Sequence, residues 1–249
     1  HERAACQQPG TMKGTPLTED CHYRWNGSGH LYGVLLNAQA EWHSAQALMN
    51  DAPYKAAPIA PVLYVKTANT WTACEGDIAV PSDVPEVEVG ATLGVVIDTK
   101  GQAKAFVLLN DVSLPHTVAQ QGFYRPPVKY KNLDGFLGVG AQAVNAEALP
   151  NPNALQLDVR INGVLKQTVD LSAMRRNMAA LLHDVNDFMT LRDNDVVMLG
   201  LSICTQGDEA GHRPHARVGD VIEISAPNAP ALSVMRHTLV SAPALEMAA

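Results

Sequence analysis

The chain has 249 residues, 47% of them hydrophobic and 17% charged, and a formal net charge of −7 at neutral pH. That length can bury one sizeable core, the composition lacks a disorder signature, and the negative balance offers no basic field for nucleic acid or an anionic membrane. No apolar run approaches the ~18 residues that a membrane span needs. Cys6, Cys21, Cys74 and Cys204 lie far apart and make no metal-ligand spacing. Reduced thiols in a cytoplasmic protein are therefore expected, with a Cys6–Cys21 pair as the alternative.

Residues 1–29 are polar and aperiodic and read as an N-terminal arm; residues 30–249 read as a single domain. Residues 31–37 predict a buried strand. Residues 38–49 predict a helix, with Trp42, Ala45 and Met49 at helical spacing. Residues 58–65 lead into Lys66, a basic group at a strand end that reads either as a solvated lysine or as a ligand contact. Two strands follow, 91–98 and 103–110, joined through Lys100-Gly101. The second carries the apolar run Val107-Leu108-Leu109 and halts at Asn110-Asp111. An acid at that point sits at a sheet rim, where ligand sites gather.

Beyond it come Tyr124-Arg125-Pro126-Pro127, then Lys129, Lys131 and Asp134, then Gly135, Gly138 and Gly140. The prolines exclude a helix interior, and the glycines allow close backbone approach. A carboxylate, an arginine and lysines on stiff loop suit a substrate with several carboxylates; a polar surface loop is the plainer reading. Residues 155–161 alternate, and Asn162-Gly163 predicts a tight hairpin into 164–169. A helix is predicted over 172–191 from the stripe Met174, Met178, Leu181, Leu182, Val185, Phe188 and Met189, capped by Asp170 or Ser172. His183 on it reads as structural. After a strand at 196–200 comes an irregular insertion to 215, where His212 and His215 stand three apart without further ligands in view. Strands at 221–225 and 232–239 complete a strand-rich α+β pattern with few strand–helix–strand alternations.

Asn110-Asp111-Val112-Ser113 and Lys131-Asn132-Leu133-Asp134-Gly135-Phe136 resemble the strand-end signature and the Lys-x-x-Asp-x-Phe element of the fumarylacetoacetate hydrolase superfamily. The likeness narrows to the N-terminal half of the bifunctional decarboxylase/isomerases of 4-hydroxyphenylacetate (homoprotocatechuate) degradation. It does so on Pro53-Tyr54-Lys55-Ala56, Lys66 with Asn69-Thr70, Gly90-Ala91-Thr92, residues 110–115 and Phe123-Tyr124-Arg125-Pro126. The resemblance implies a mixed β-roll, usually paired as dimers. Two such folds are fused in that subfamily, so a homodimer or a heteromer with a paralogous subunit is expected. It also implies a small-molecule substrate, an unsaturated oxo-tricarboxylate or dicarboxylate from aromatic ring cleavage, decarboxylated beside a ketone and then isomerised. Lys131, Asp111 and Arg125 would be catalytic; Lys66, Thr92, Tyr124 and Gly200 would bind substrate.

Mg²⁺ is usual in the superfamily, held in part by a Glu-x-Glu pair that directly precedes a Leu-x-Val-Val-Ile strand. That strand is Leu93-Gly94-Val95-Val96-Ile97 here, so register places Gly90 and Thr92 where the glutamates belong. Glu86 and Glu88 have the right period-two spacing but stand four residues too early, and exposed carboxylates are expected there. No resident metal is expected. The superfamily's lid element Asn-x-x-x-His-x-x-Glu is met by Asn37, Glu41 and Ser44, with His43 out of phase. This departure weighs against a C–C bond hydrolase. The other alternative is a non-catalytic scaffold beside a metal-bearing paralogue.

Overall fold

A computed structural model describes residues 22–23, 27–115 and 127–243. The strands Ala91–Ile97 and Ala103–Asp111 are buried almost throughout, because each lies between other strands and is covered on both faces. They pair antiparallel across the predicted turn, with Ala91 opposite Asn110 and Thr92 opposite Leu109. The sheet around them runs in the order His22–Tyr23, Ala143–Asn145, Ala103–Asp111, Ala91–Ile97, Val196–Met198, Leu31–Leu35, Val62–Lys66. Leu137–Val139 pairs with both Ala103–Asp111 and Trp71–Thr72. A second sheet carries Val164–Asp170, Gln156–Ile161, Val221–Ser225, Met235–Ser241 and Asp77–Val80.

Strand alternation sorts the large sheet's residues onto two faces. Leu93, Val95, Phe106 and Leu108 face the main core, with Leu157, Ile224 and Leu239 of the second sheet and Leu181 and Val185 of helix α3 (Met178–Asn186). Val96, Val107, Leu109, Val139, Val196 and Met198 form a second cluster on the other face. Thr92 and Asp111 share that second face by parity, and Lys66 joins them opposite Leu31. Tyr64 donates a hydrogen bond to Asp111 although three strands separate theirs in the sheet order. In a flat sheet, at about 4.8 Å per strand, those residues would stand roughly 19 Å apart. The face is therefore concave, and the predicted β-dominated α+β roll is what the chain forms.

Three expectations shift. The helix predicted over 172–191 is limited to Met178–Asn186. Its intended first turn is diverted by Asn37, whose carbonyl accepts from Arg175 N at 2.7 Å and whose side-chain oxygen accepts from Arg176 N at 3.0 Å. Asn177 then caps the helix through Ala180 N. Residues 38–49 divide into α1 (Gln39–Ala45) and a 3₁₀ turn, Gln46–Leu48. The last strand starts at Met235 rather than 232. The hairpin turn is as predicted, with positive φ at Asn162 and Gly163. Most of the arm, and with it the Cys6–Cys21 alternative, lies outside the described residues. Among those described, no helix is long and apolar enough to cross a membrane.

Candidate active site

Asp111, the last residue of its strand, is the hub of a buried charge cluster. Lys66 Nζ pairs with its Oδ1 at 2.9 Å and Lys131 Nζ with its Oδ2 at 3.1 Å, while the Tyr64 hydroxyl donates to Oδ2. The Lys131 ammonium also stands 4.5 Å above the Tyr64 ring centroid, a cation–π contact. Tyr64 reaches inward across Gly33, where a Cβ would meet the Tyr64 ring at 2.0 Å. Lys66 also donates to the carbonyls of Val112 (3.3 Å), Phe136 (2.8 Å) and Lys131. One ammonium thus fastens the strand end to α2 (Pro127–Lys131) and to the loop that follows.

That loop is stapled a second time. Asn69 Nδ2 donates to Asp134 Oδ1 at 2.6 Å and to the Asn132 carbonyl at 3.0 Å, and Gly135 N donates to Asn69 O. Asp134 of the Lys-x-x-Asp-x-Phe element therefore positions Lys131 without joining the cluster.

The protonation states follow from burial set against pairing. Burial pushes the Asp111 carboxyl up, but Lys131, Lys66 and the Tyr64 hydroxyl together outweigh it and hold it well below the carboxylate range. Burial drives Lys66 down; Asp111 resists, Lys131 adds to the fall, and the group settles at about 8. Burial likewise lowers Lys131, with Asp111 opposing and Arg213 contributing. Turnover is expected to fall as pH rises through about 8, because neutralising Lys66 strips Asp111 of one counter-ion; the apparent value belongs to the cluster. The folded Lys66 value lies below the unfolded one. On this group's account folding stability therefore rises with pH from about 8 to the ordinary lysine value. A pH–rate profile alongside denaturation curves checks that activity is lost where stability is not.

A second set of charges adjoins the first. Arg213 donates from Nε (3.2 Å) and Nη2 (2.8 Å) to Glu88 Oε2, and its Nη1 lies 3.6 Å from Glu41 Oε1. Sequence reasoning missed this arginine, which lies in the irregular insertion. A short ladder places it: His215 pairs with Glu88 and Ala216 with Val87, and Val89 N donates to Pro214 O. The expectation that Glu88 is exposed is corrected. The chain folds back so that Ser113 and His215 flank Glu88, and its carboxylate is buried against Arg213. Glu86 is partly exposed and meets Arg217 at 3.4 Å.

Of the predicted site residues, the structure brings Lys66, Asp111 and Lys131 together. Lys66 has no exposed side-chain surface, so its reach is to Asp111 and main chain rather than to a ligand. Thr92 is buried on the Asp111 face of the sheet, and its hydroxyl has no hydrogen-bond partner among the described residues. Gly200 is not brought to the cluster; it packs against Asn37 and Met174 near the start of α1. Tyr124 and Arg125 lie outside the described residues. Side-chain exposure is 10% for Lys131, 12% for Arg213 and 15% for Glu41, so what little exposure the two sets of charges keep is greatest at these three. An open hollow of about 520 Å³ beside α3 lies elsewhere, lined by Phe106, Leu149 and Met178 from the opposite face of the sheet.

The donor set does not fit the superfamily's divalent ion. A Cβ at Gly90 would stand 2.5 Å from the Asp111 carbonyl oxygen and 3.0 Å from Leu201, so a glutamate cannot be seated there. Both Asp111 oxygens already face ammonium or phenol groups. Among the described residues no group of three or more His, Cys, Asp or Glu side chains could hold a metal.

A curled α+β roll with a strand-end aspartate held between lysines defines the class of protein. The chain belongs to the fumarylacetoacetate hydrolase family: residues 30–240 match the family described as fumarylacetoacetate (FAA) hydrolase C-terminal. It is 30% identical over 218 residues to the 4-hydroxyphenylacetate degradation bifunctional isomerase/decarboxylase of Escherichia coli, covering 82% of this chain and 46% of that protein. It is 26% identical over 211 residues to 2,4-didehydro-3-deoxy-L-rhamnonate hydrolase of Sphingomonas sp. (strain SKA58), covering 80% of this chain and 70% of that one. The chain thus spans about half the length of the first relative. The crystal structure of 2-hydroxyhepta-2,4-diene-1,7-dioate isomerase from Mycobacterium marinum shares the fold. The TM-score is 0.64 at 19% identity, over 86% of this chain and 75% of that one.

Proposed function

We propose that the chain is a lyase/isomerase acting on an unsaturated oxo-tricarboxylate or dicarboxylate from aromatic ring cleavage. The reaction is of the 5-oxopent-3-ene-1,2,5-tricarboxylate decarboxylase or 2-hydroxyhepta-2,4-diene-1,7-dioate isomerase type. The observation that carries this reading is Lys131, whose ammonium is fixed by Asp111 and Tyr64 on a side chain that is 10% exposed where that of Lys66 is sealed. In decarboxylation the bond to the carboxylate carbon breaks and its electron pair moves to the ketone oxygen as an enolate. Carbon dioxide leaves, and a proton returns to carbon. In isomerisation the same enolate forms when the dienol hydroxyl loses its proton to solvent, and a proton returning to the far carbon of the diene completes the double-bond shift. Both need a charge sink at the ketone oxygen, and a preorganised ammonium in a water-poor site supplies a charge-assisted hydrogen bond there. Asp111 orients Lys131, and Lys66 keeps Asp111 ionised. The names of the relatives that match over most of this chain support the substrate class.

No step is routed through a metal, because Gly90 and the occupied Asp111 do not fit one. Elemental analysis is expected to find no stoichiometric divalent ion in the purified chain. About one Mg²⁺ or Mn²⁺ per chain, lost on Asp111→Ala, would contradict the proposal. The absent glutamate side chains also favour a second reading, a non-catalytic subunit that stabilises a metal-bearing paralogue. Absence of turnover by the chain alone, or with a partner whose metal site is disabled, would select it.

Pairing with a second copy or a paralogous subunit is part of the proposal. The apolar strands Leu93 to Ile97 and Val196 to Leu199 are covered within the chain and lend it no support. Exposed Tyr54, Ile59, Val65 and Val128 do support it. Light scattering is expected to give about twice 26.6 kDa, and a monomer at micromolar concentration in the absence of a partner would argue against self-association.

A further inference from the structure

We propose that Arg213 is the receptor for one substrate carboxylate, and that Glu41 is an internal stand-in for that carboxylate which must take up a proton and give way when substrate binds. This rests on the proposed function only in requiring a substrate with at least two carboxylates, the other end going to Lys131.

The geometry around Arg213 is lopsided. Its Nε and Nη2 both donate to Glu88, which strand pairing to Ser113 and His215 fixes in place. Its Nη1 faces Glu41 at 3.6 Å, within ion-pair range but beyond a hydrogen bond. Glu41 is held back by main chain, since its Oε2 accepts from Leu36 N at 2.8 Å. A carboxylate from outside could approach Nη1 more closely than Glu41 does. Glu41 also rides on α1, which buries none of its residues fully.

Charge makes displacement necessary. The two adjoining sets contain three cations, Lys66, Lys131 and Arg213, against three anions, Asp111, Glu88 and Glu41. A substrate dianion entering this balanced, mostly buried set would leave it strongly negative, which low-dielectric surroundings resist. Asp111 and Glu88 are locked in ion pairs, whereas Glu41 is the most exposed of the three anions. The charged and titratable groups facing it are Arg213, Lys131, Glu88 and Tyr64. Burial raises the Glu41 carboxyl against the opposing pull of Arg213, the Leu36 N–H and Lys131, so proton uptake is open to it.

Calorimetric titration of the full chain with glutarate, which has no ketone to react, and with its monomethyl ester tests this. The wild-type chain is expected to prefer glutarate and, in buffers of different ionisation enthalpy near neutral pH, to take up protons on binding it. Glu41→Gln is expected to bind glutarate about tenfold tighter with the proton uptake abolished, as removal of one opposing charge implies. Arg213→Lys, which keeps the charge but loses the fork, is expected to lose most of the preference for glutarate over the ester. The proposal is overturned if Glu41→Gln binds glutarate no more tightly than wild type, if proton uptake persists in it, or if no protein binds glutarate at all. Retention of the glutarate preference by Arg213→Lys and Arg213→Gln would also overturn it. Because no turnover is measured, failure of the proposed reaction with these binding results intact would count against the reaction alone.

Discussion

Asp111→Asn is expected to cost about 3–5 kcal/mol of folding stability, the range seen when one partner of a buried ion pair is removed. The substitution keeps the shape of the side chain but leaves the Lys66 and Lys131 ammonium groups facing each other without their shared counter-ion. Tyr64 also loses the carboxylate that accepts its hydroxyl proton. For a domain of this size the melting temperature should drop by roughly 10 °C, at about 2–4 °C per kcal/mol. The pH dependence should change in the same variant. The folded Asp111 carboxyl lies below its unfolded value, so its stabilisation is present above the ordinary carboxylate range and is lost as pH falls toward the depressed folded value. Asp111→Asn should therefore flatten the acid limb of the stability curve. Urea denaturation at several pH values measures both effects, and a loss under 1 kcal/mol would mean that the cluster does not hold the roll together.

Lys131→Met is expected to lower kcat by roughly 10²–10³, the cost of removing one preorganised oxyanion donor, about 2.7–4 kcal/mol. The stability loss should be smaller than for Asp111→Asn, because Asp111 keeps Lys66 and Tyr64. The methionine preserves most of the packing volume and removes only the ammonium. If Lys131 did no more than bind a carboxylate, KM would rise with little change in kcat; an interaction made chiefly in the transition state lowers kcat instead. The split between the two parameters therefore decides which role Lys131 has.

What could be read from the sequence was whatever depends on local pattern. The apolar run ending at Asp111 and the Asn162-Gly163 turn appear in the structure as expected. Lys66 and Lys131 also proved to be near Asp111, on the strength of the family motifs rather than of any spacing between them. Long-range placement was the part that spacing could not supply. Glu88 looked exposed when counted along the chain, but Ser113 and His215 close over it from either side. Arg213 is a lone arginine between His212 and Pro214 in an irregular stretch, with no periodicity to announce that it turns inward. Tyr64 sat in a segment read only as the approach to Lys66; its signal was the Gly33 opposite it in the neighbouring strand, which makes room for the ring. The helix at 172–191 had the right apolar stripe, yet Asn37 captured the Arg175 and Arg176 amides that its first turn needed.

In the proposed reaction a cationic cluster, and not a divalent ion, stabilises the enolate. Steady-state turnover of a ring-cleavage oxo-dicarboxylate by the purified wild-type chain, before and after exhaustive chelation and with Lys131→Met in parallel, tests it most directly. The expected result is a rate unchanged by chelator and reduced roughly 10²–10³ in Lys131→Met. A rate abolished by chelator and restored by Mg²⁺, or a Lys131→Met chain as fast as wild type, would contradict it.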